Sequence, residues 1–360
     1  VDFAHAPAPT NRSERLIFGQ LYEPLVRADC SGALRPALAS EWTSGDGGAS
    51  WTLVLRADAW FADGSPLTAA DVVQSLRGHP ALTAIAALGD RRVLVTLATP
   101  NPSGPIPLAS LALAVTRPGP ESRPLGTGPY RLDARAGLLT GASPLLRLRP
   151  APAADLRDLV DADVGLIVTD EPAVVSYARS RPDRIVVPLP WDRAYGLLAP
   201  AGSPAAAPLD SAERAALARD AVRADARPSA ERCAGGNDDG NGGDGARPAA
   251  GVDIAYPSGD PVARDLAARL LALGRAGRGG RAVALDPAAL RRDAEAGRDA
   301  VLVAASPPET LCPAPGAAGR AIVPLIETRA TVILRRNAAP PVVDADGTLR
   351  WLPPGEGGAP

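Results

Sequence analysis

The chain has 360 residues, 46% hydrophobic and 22% charged, with mean hydropathy near zero and a formal charge of −2. This is ordinary globular composition, and the charge balance excludes a nucleic-acid binder, which needs a basic face against phosphates. No apolar run reaches the roughly 20 residues of a membrane-spanning helix, and at about 150 residues per domain two or three domains are expected. In chain order, "VDFAHA" alternates as a short strand and residues 11–27 carry Leu16, Ile17, Leu21 and Leu25 at near-helical spacing up to Pro24. "LRPALASEWTSGDGGASWTLVLR" reads as two strands around a Gly-rich hairpin, with Trp42 before it and Trp51 after it. "TAADVVQSLRGH" starts a helix: Thr68 is the N-cap, Asp71 completes a capping box, and Val72, Val73 and Leu76 form the apolar face. "RRVLVTLATP" is a strand.

"GTGPY", residues 126–130, is too rich in Gly and Pro for a strand interior. Gly126 and Gly128 are expected to allow backbone angles closed to other residues, and Pro129 fixes its φ before the strand "YRL". "LLRLRP", "DADVGLIVT" and "DRIVVPLPW" read as strands. Residues 210–225 read as the strongest helix, Ala-rich and capped by Asp210 or Ser211. Strands and helices then alternate from 252 to 305, which indicates an α/β unit with a parallel sheet. "ATVILRRN" and "GTLRWLPPG" close the chain as strands followed by turns.

Three cysteines, Cys30, Cys233 and Cys312, match no zinc spacing. In an exported protein Cys233 and Cys312 are the candidates for a disulfide, with Cys30 left alone, and the sequence leaves that pairing open. The first residue is Val1 rather than Met, read as a removed secretory leader or a trimmed start. The Gly/Asp-rich stretch 234–250 lacks calcium-loop spacing and reads as a flexible loop.

The series "QLYEPLV", "LRPALASEWTSGDGGASWTLVLR", "AWFADGSPLTAADVVQSL" and "GTGPYRL" resembles the extracytoplasmic solute-binding proteins of the peptide/nickel ABC-importer family, family 5, cluster C. Phe61, Asp63, Gly64, Pro66, Leu67, Thr68, Ala69, Asp71 and Val72 match its longest motif position by position. The resemblance is strong over about 20–130 and looser beyond. It implies an α/β, two-lobed periplasmic-binding-protein type II-like fold with a reduced extra subdomain. Lobe I is expected over 1–40, 124–198 and 321–360, the extra subdomain over 41–123, and lobe II over 199–320. In this pattern "GTGPY" marks the return from the extra subdomain to the first lobe.

The resemblance also implies a function: a periplasmic or cell-surface receptor that closes about a hinge on a small-molecule ligand and delivers it to an ABC transporter permease. The alternative is a sensor of the same fold that signals to a membrane receptor. The expected protein is a monomer with no cofactor, no metal, no nucleic-acid partner and no catalytic residues. An enzyme in the cleft is disfavoured by the lack of a Gly-x-Ser-x-Gly elbow, a His-Glu-x-x-His pair and a P-loop.

Candidate ligand contacts follow from the same resemblance. Arg15 falls on the first-lobe segment that lines the cleft, where it would hold a carboxylate or else sit as a solvated helix Arg. Trp191 and Tyr195 fall where the chain approaches the first crossover, as ligand aromatics or as hinge packing, with Arg193 beside them. Peptide-binding members place an Asp after the strand that corresponds to "RDAVLVAAS"; here Glu309 is the nearest carboxylate.

Overall fold

The computed structural model describes residues 1–120, 123–149, 155–229, 251–305 and 320–351. The chain divides into two compact units, Val1–Ala154 with Asn337–Pro360, and Asp155–Arg336. Glu309, Cys233, Cys312 and the whole stretch 234–250 lie outside the described residues.

The first unit opens on a 3-10 turn, Phe3–His5, instead of the expected strand. The Asp2 side chain accepts from the Ala4 N–H, and this local cap outweighs the weak alternation. Helix α1 (Arg12–Leu21) is capped by Asn11 and buries Ile17, Phe18 and Leu21. Strands β1 (Val26–Ala28) and β2 (Leu34–Pro36) pair as a short ladder. Strands β3 (Ala39–Gly45) and β4 (Ser50–Leu55) form the expected hairpin around Gly47 and Gly48, both at positive φ. Helix α2 (Ala69–Leu76) carries the complete Thr68–Asp71 capping box. Strands β5 (Leu82–Ala87) and β6 (Arg92–Leu97) finish a four-stranded sheet in the order β3-β4-β6-β5. Leu53, Leu55, Val93 and Val95 pack with Phe61, Val72 and Leu76 as its core.

"GTGPY" follows, and its glycines serve a different purpose from the one expected. Neither has a positive φ. A Cβ on Gly126 would stand 2.0 Å from the Leu21 carbonyl oxygen, and one on Gly128 would stand 2.3 Å from that of Gln20. The segment lies flat on the exit of α1, where Gly128 N–H donates to Leu21 O (2.9 Å) and Tyr130 N–H to Gln20 O (3.2 Å). Close backbone approach, not torsional freedom, therefore demands the two glycines. Tyr130 is buried, and strands β7 (Arg131–Asp133), β8 (Leu138–Thr140) and β9 (Leu146–Arg147) follow as a meander.

The second unit begins with α3 (Leu156–Asp161), β10 (Leu166–Thr169), α4 (Pro172–Arg179) and β11 (Arg184–Pro188). It continues through β12 (Arg193–Pro200), α5 (Ser211–Arg219) and β13 (Asp225–Pro228). The alternating part is β14 (Ile254–Pro257), α6 (Pro261–Ala272), β15 (Ala282–Leu285), α7 (Pro287–Ala296) and β16 (Ala300–Ala305). Strands β17 (Arg320–Arg329) and β18 (Thr331–Arg335) complete the unit.

Two sheets result. A six-stranded sheet runs β13-β17-β12-β16-β14-β15, with β14 parallel to both β15 and β16 as the alternation predicts. A three-stranded antiparallel sheet runs β10-β18-β11. Leu217, Ile254, Leu266, Leu270, Leu302 and Ile326 form the core beneath α5 and α6. The chain crosses between the sheets twice, through 189–192 from β11 to β12 and through Ala330 from β17 to β18. The crossings are tied together by Leu189 N–H donating to Ala330 O (2.9 Å).

The chain then returns to the first unit with β19 (Val342–Val343) and β20 (Leu349–Arg350). The compact unit Asp155–Arg336 takes in both sheets and both crossings, and the long pairing of β12 with β17 brings the two crossings side by side.

Helix α5 stops at Arg219, short of the expected Ala-rich run to 225. Residues 220–224 form a turn that leads into β13 at Asp225, and pairing of β13 with β17 fixes the chain beyond the helix end.

Candidate functional site

The site grows from the start of β12. Trp191 lies in the first crossing, Asp192 is buried, and Arg193 and Tyr195 begin the strand on one side of the sheet. Tyr195 is 2% exposed, and its hydroxyl donates to Asp260 Oδ2 at 3.0 Å. Arg193 Nη2 donates to the same oxygen at 2.8 Å and its guanidinium stands over the Tyr195 ring, 5.0 Å from the centroid. Asp260 is the N-cap of α6, so its Oδ1 also accepts from the Val262 and Ala263 N–H groups, both at 3.0 Å. One carboxylate thus joins the strand to the helix terminus, where the helix dipole favours negative charge. Burial, the largest influence, pushes the Tyr195 phenol far above its ordinary value.

Trp191 is held from another direction. The Arg227 guanidinium stands 4.5 Å from its ring centroid and that of Arg329 stands 4.4 Å away. Arg227 comes from β13 and Arg329 from the end of β17, where the register sets Asp225 opposite Arg329 and Arg227 opposite Glu327. Arg227 Nε and Nη2 both donate to Glu327 Oε2, at 2.8 and 2.5 Å, and Glu327 is 1% exposed. Arg329 Nε donates to Asp225 Oδ2 at 2.7 Å. Neither arginine was among the expected contacts. The available signal is the charge alternation of "DARP" against "ETR", which becomes complementary only once the strands are paired.

Of the expected site residues, Trp191, Arg193 and Tyr195 sit together at this end of the six-stranded sheet. Arg15 belongs to the first unit, on α1, where its Nη1 donates to the Asp346 carbonyl at 2.6 Å. Glu309 lies outside the described residues. Elsewhere in the second unit, α5 and α6 border a shallow surface groove, where Asp220 pairs with Arg269 and Asp265 with Arg223. Among the described residues no group of three or more His, Cys, Asp or Glu side chains is placed to hold a metal ion. No helix among them is long and apolar enough to cross a membrane.

Residues 33–137 match the family described as bacterial extracellular solute-binding proteins, family 5 middle. A stretch of 57 residues is 39% identical to the nickel-binding periplasmic protein of Escherichia coli, covering 16% of this chain and 11% of that protein. The curated relative is therefore matched over about a tenth of its length. The fold likeness extends much further. The Listeria monocytogenes OppA structure bound to peptide aligns with a TM-score of 0.65 at 12% identity, covering 96% of this chain and 95% of that one. The structure of NikA from Brucella suis in complex with Fe(III)-EDTA aligns with a TM-score of 0.63 at 14% identity, covering 93% and 94%. Residues 33–137 are thus similar to the bacterial extracellular solute-binding proteins of family 5, and the fold of the chain as a whole is the periplasmic-binding-protein type II fold of these structures.

Proposed function

We propose that the chain is an extracytoplasmic receptor, periplasmic or cell-surface, that captures a small solute and delivers it to the membrane permease of an ABC importer. The supporting observation is the coincidence of a family-5 segment at 33–137 with a type II fold over nearly the whole chain. Structures that share the fold are described with a peptide or with Fe(III)-EDTA bound. The receptor acts as a monomer without a cofactor and turns over no substrate. A ligand shifts its conformation only by binding one state more tightly than the other. Ligand contacts are assigned to Trp191, Arg193 and Tyr195 at the start of β12, with Arg15 and Glu309 as further candidates. Arg193 and Tyr195 are held in place by Asp260, which fixes their geometry before any ligand arrives.

The test is reconstitution. Proteoliposomes that carry the cognate permease and its ATPase subunits are supplied with the receptor and candidate solutes. Uptake that depends on the receptor is the expected result. Tight solute binding with no uptake would favour the sensor, and turnover of a bound solute would favour an enzyme.

A further inference from the structure

Helix α1 is ten residues long and carries Gly19 in its last turn, where alanine would favour the helix. The packing explains the glycine. A Cβ there would stand 2.6 Å from Thr348 Cγ2 and 3.2 Å from the Leu349 carbonyl oxygen. We infer that α1 and the segment 342–351 form one cooperative closure of the first unit, in which neither holds its fold without the other. The inference is independent of the receptor reading above.

Each partner is marginal by itself. A helix shorter than about 12 residues is barely stable alone in water, and the carbonyls of its last turn need outside donors. Here the Phe18 carbonyl accepts from Tyr22 N–H, that of Gln20 from Tyr130 N–H and that of Leu21 from Gly128 N–H. The Gly19 and Tyr22 carbonyls both accept from Arg350 Nη1, at 2.7 and 3.1 Å, and Arg350 is 3% exposed. Strands β19 and β20 pair over only two residues each, and an isolated two-stranded hairpin is likewise marginal. Their other bonds go to α1 and β1. Gln20 Nε2 donates to the Leu349 carbonyl at 2.5 Å, Trp351 N–H donates to Gln20 Oε1 at 3.2 Å, and Ala345 N–H donates to the Ala28 carbonyl at 2.9 Å. Segments held by such mutual contacts open and close as one unit. Arg15 rides on the same closure through its bond to the Asp346 carbonyl.

Hydrogen exchange of the full native chain, read segment by segment by mass spectrometry, tests the inference. In the natural chain the slowest amides of 16–22 and of 342–351 are expected to share one protection factor. Gly19→Ala raises helix propensity, so an independent α1 would become better protected. The cooperative closure predicts the opposite: both segments lose protection by the same factor, about tenfold, because the methyl group overpacks against Thr348 and Leu349. Residues 331–335 of the second unit are expected to be unchanged, as proof of folding. Thr348→Ser removes the methyl group that the new Cβ meets, and added to Gly19→Ala it is expected to return both segments toward the natural value. Arg350→Lys keeps the charge but loses the forked contact, and is expected to lower both segments together. Better protection of α1 in Gly19→Ala, loss in one segment without the other in either variant, or unequal protection in the natural chain would each overturn the inference.

Discussion

Arg350 Nε donates to Asp344 Oδ2 at 2.6 Å with both side chains buried. The same guanidinium donates through Nη1 to the Gly19 (2.7 Å) and Tyr22 (3.1 Å) carbonyls, and Arg27 Nη1 reaches the other Asp344 oxygen at 3.3 Å. Strand β20, from the far end of the chain, is thereby fastened to the end of α1. Removing one member of a buried ion pair costs about 3 kcal/mol or more; Arg27 still faces Asp344 without Arg350, but the Gly19 and Tyr22 carbonyls also lose their donor. Arg350→Ala is expected to lose that much stability, read as a lower urea midpoint.

Glu14 gathers the first ten residues around one buried carboxylate. Burial alone would raise its pKa. Hydrogen bonds from the Thr10 N–H, His5, the Asp2 N–H and the Thr10 hydroxyl outweigh this and bring it from 4.5 down to about 2. A folded pKa below the unfolded one means stabilisation that is complete above about pH 5 and fades as the pH falls toward 2. The stability difference between the natural chain and Glu14→Gln is expected to be constant from pH 7 to 5 and to shrink steadily below that. Equilibrium denaturation across the range measures it.

Gly128→Ala puts a methyl group 2.3 Å from the Gln20 carbonyl oxygen and 2.5 Å from the Leu21 carbonyl carbon. Both are backbone atoms, so the segment must lift off α1. Overpacking of this kind costs about 1–3 kcal/mol and sometimes more, and the upper end is expected here. Gly32→Ala is a useful contrast. Its φ of +82° also strains the substitution, but nothing lies within 4 Å of the added Cβ, so its cost is limited to about 1 kcal/mol of backbone strain. Thermal unfolding of the two variants should rank them in that order.

The capping box at Thr68 and Asp71, the Gly47–Gly48 hairpin and the parallel unit 254–305 were legible because each is encoded within a few neighbouring residues. Strand β13 was not. "DARP" has little strand preference, and β17 supplies the pairing about a hundred residues away. β17 itself contains Pro324, which argues against a central strand; the register with β12 shifts between Tyr195 and Gly196, beside that proline. Trp191, Arg193 and Tyr195 could be singled out because they adjoin a recognisable crossover. Arg227 and Arg329 could not, because their strands were themselves unexpected and their partners are distant in sequence.

Tyr195→Phe deletes the hydroxyl that donates to Asp260 and leaves that carboxylate with Arg193 and two helix N–H groups. The net cost of such a bond is about 1 kcal/mol. The phenol is also held protonated by burial. The ultraviolet titration of tyrosine ionisation below pH 11 is therefore expected to be unchanged in the variant.

Native mass spectrometry of the protein, purified under non-denaturing conditions from cells grown on complex medium, tests the proposed receptor function most directly. The account predicts one small solute per chain, released on denaturation. A chain that emerges bare, and to which no peptide, metal chelate or other small solute can be restored, would contradict it.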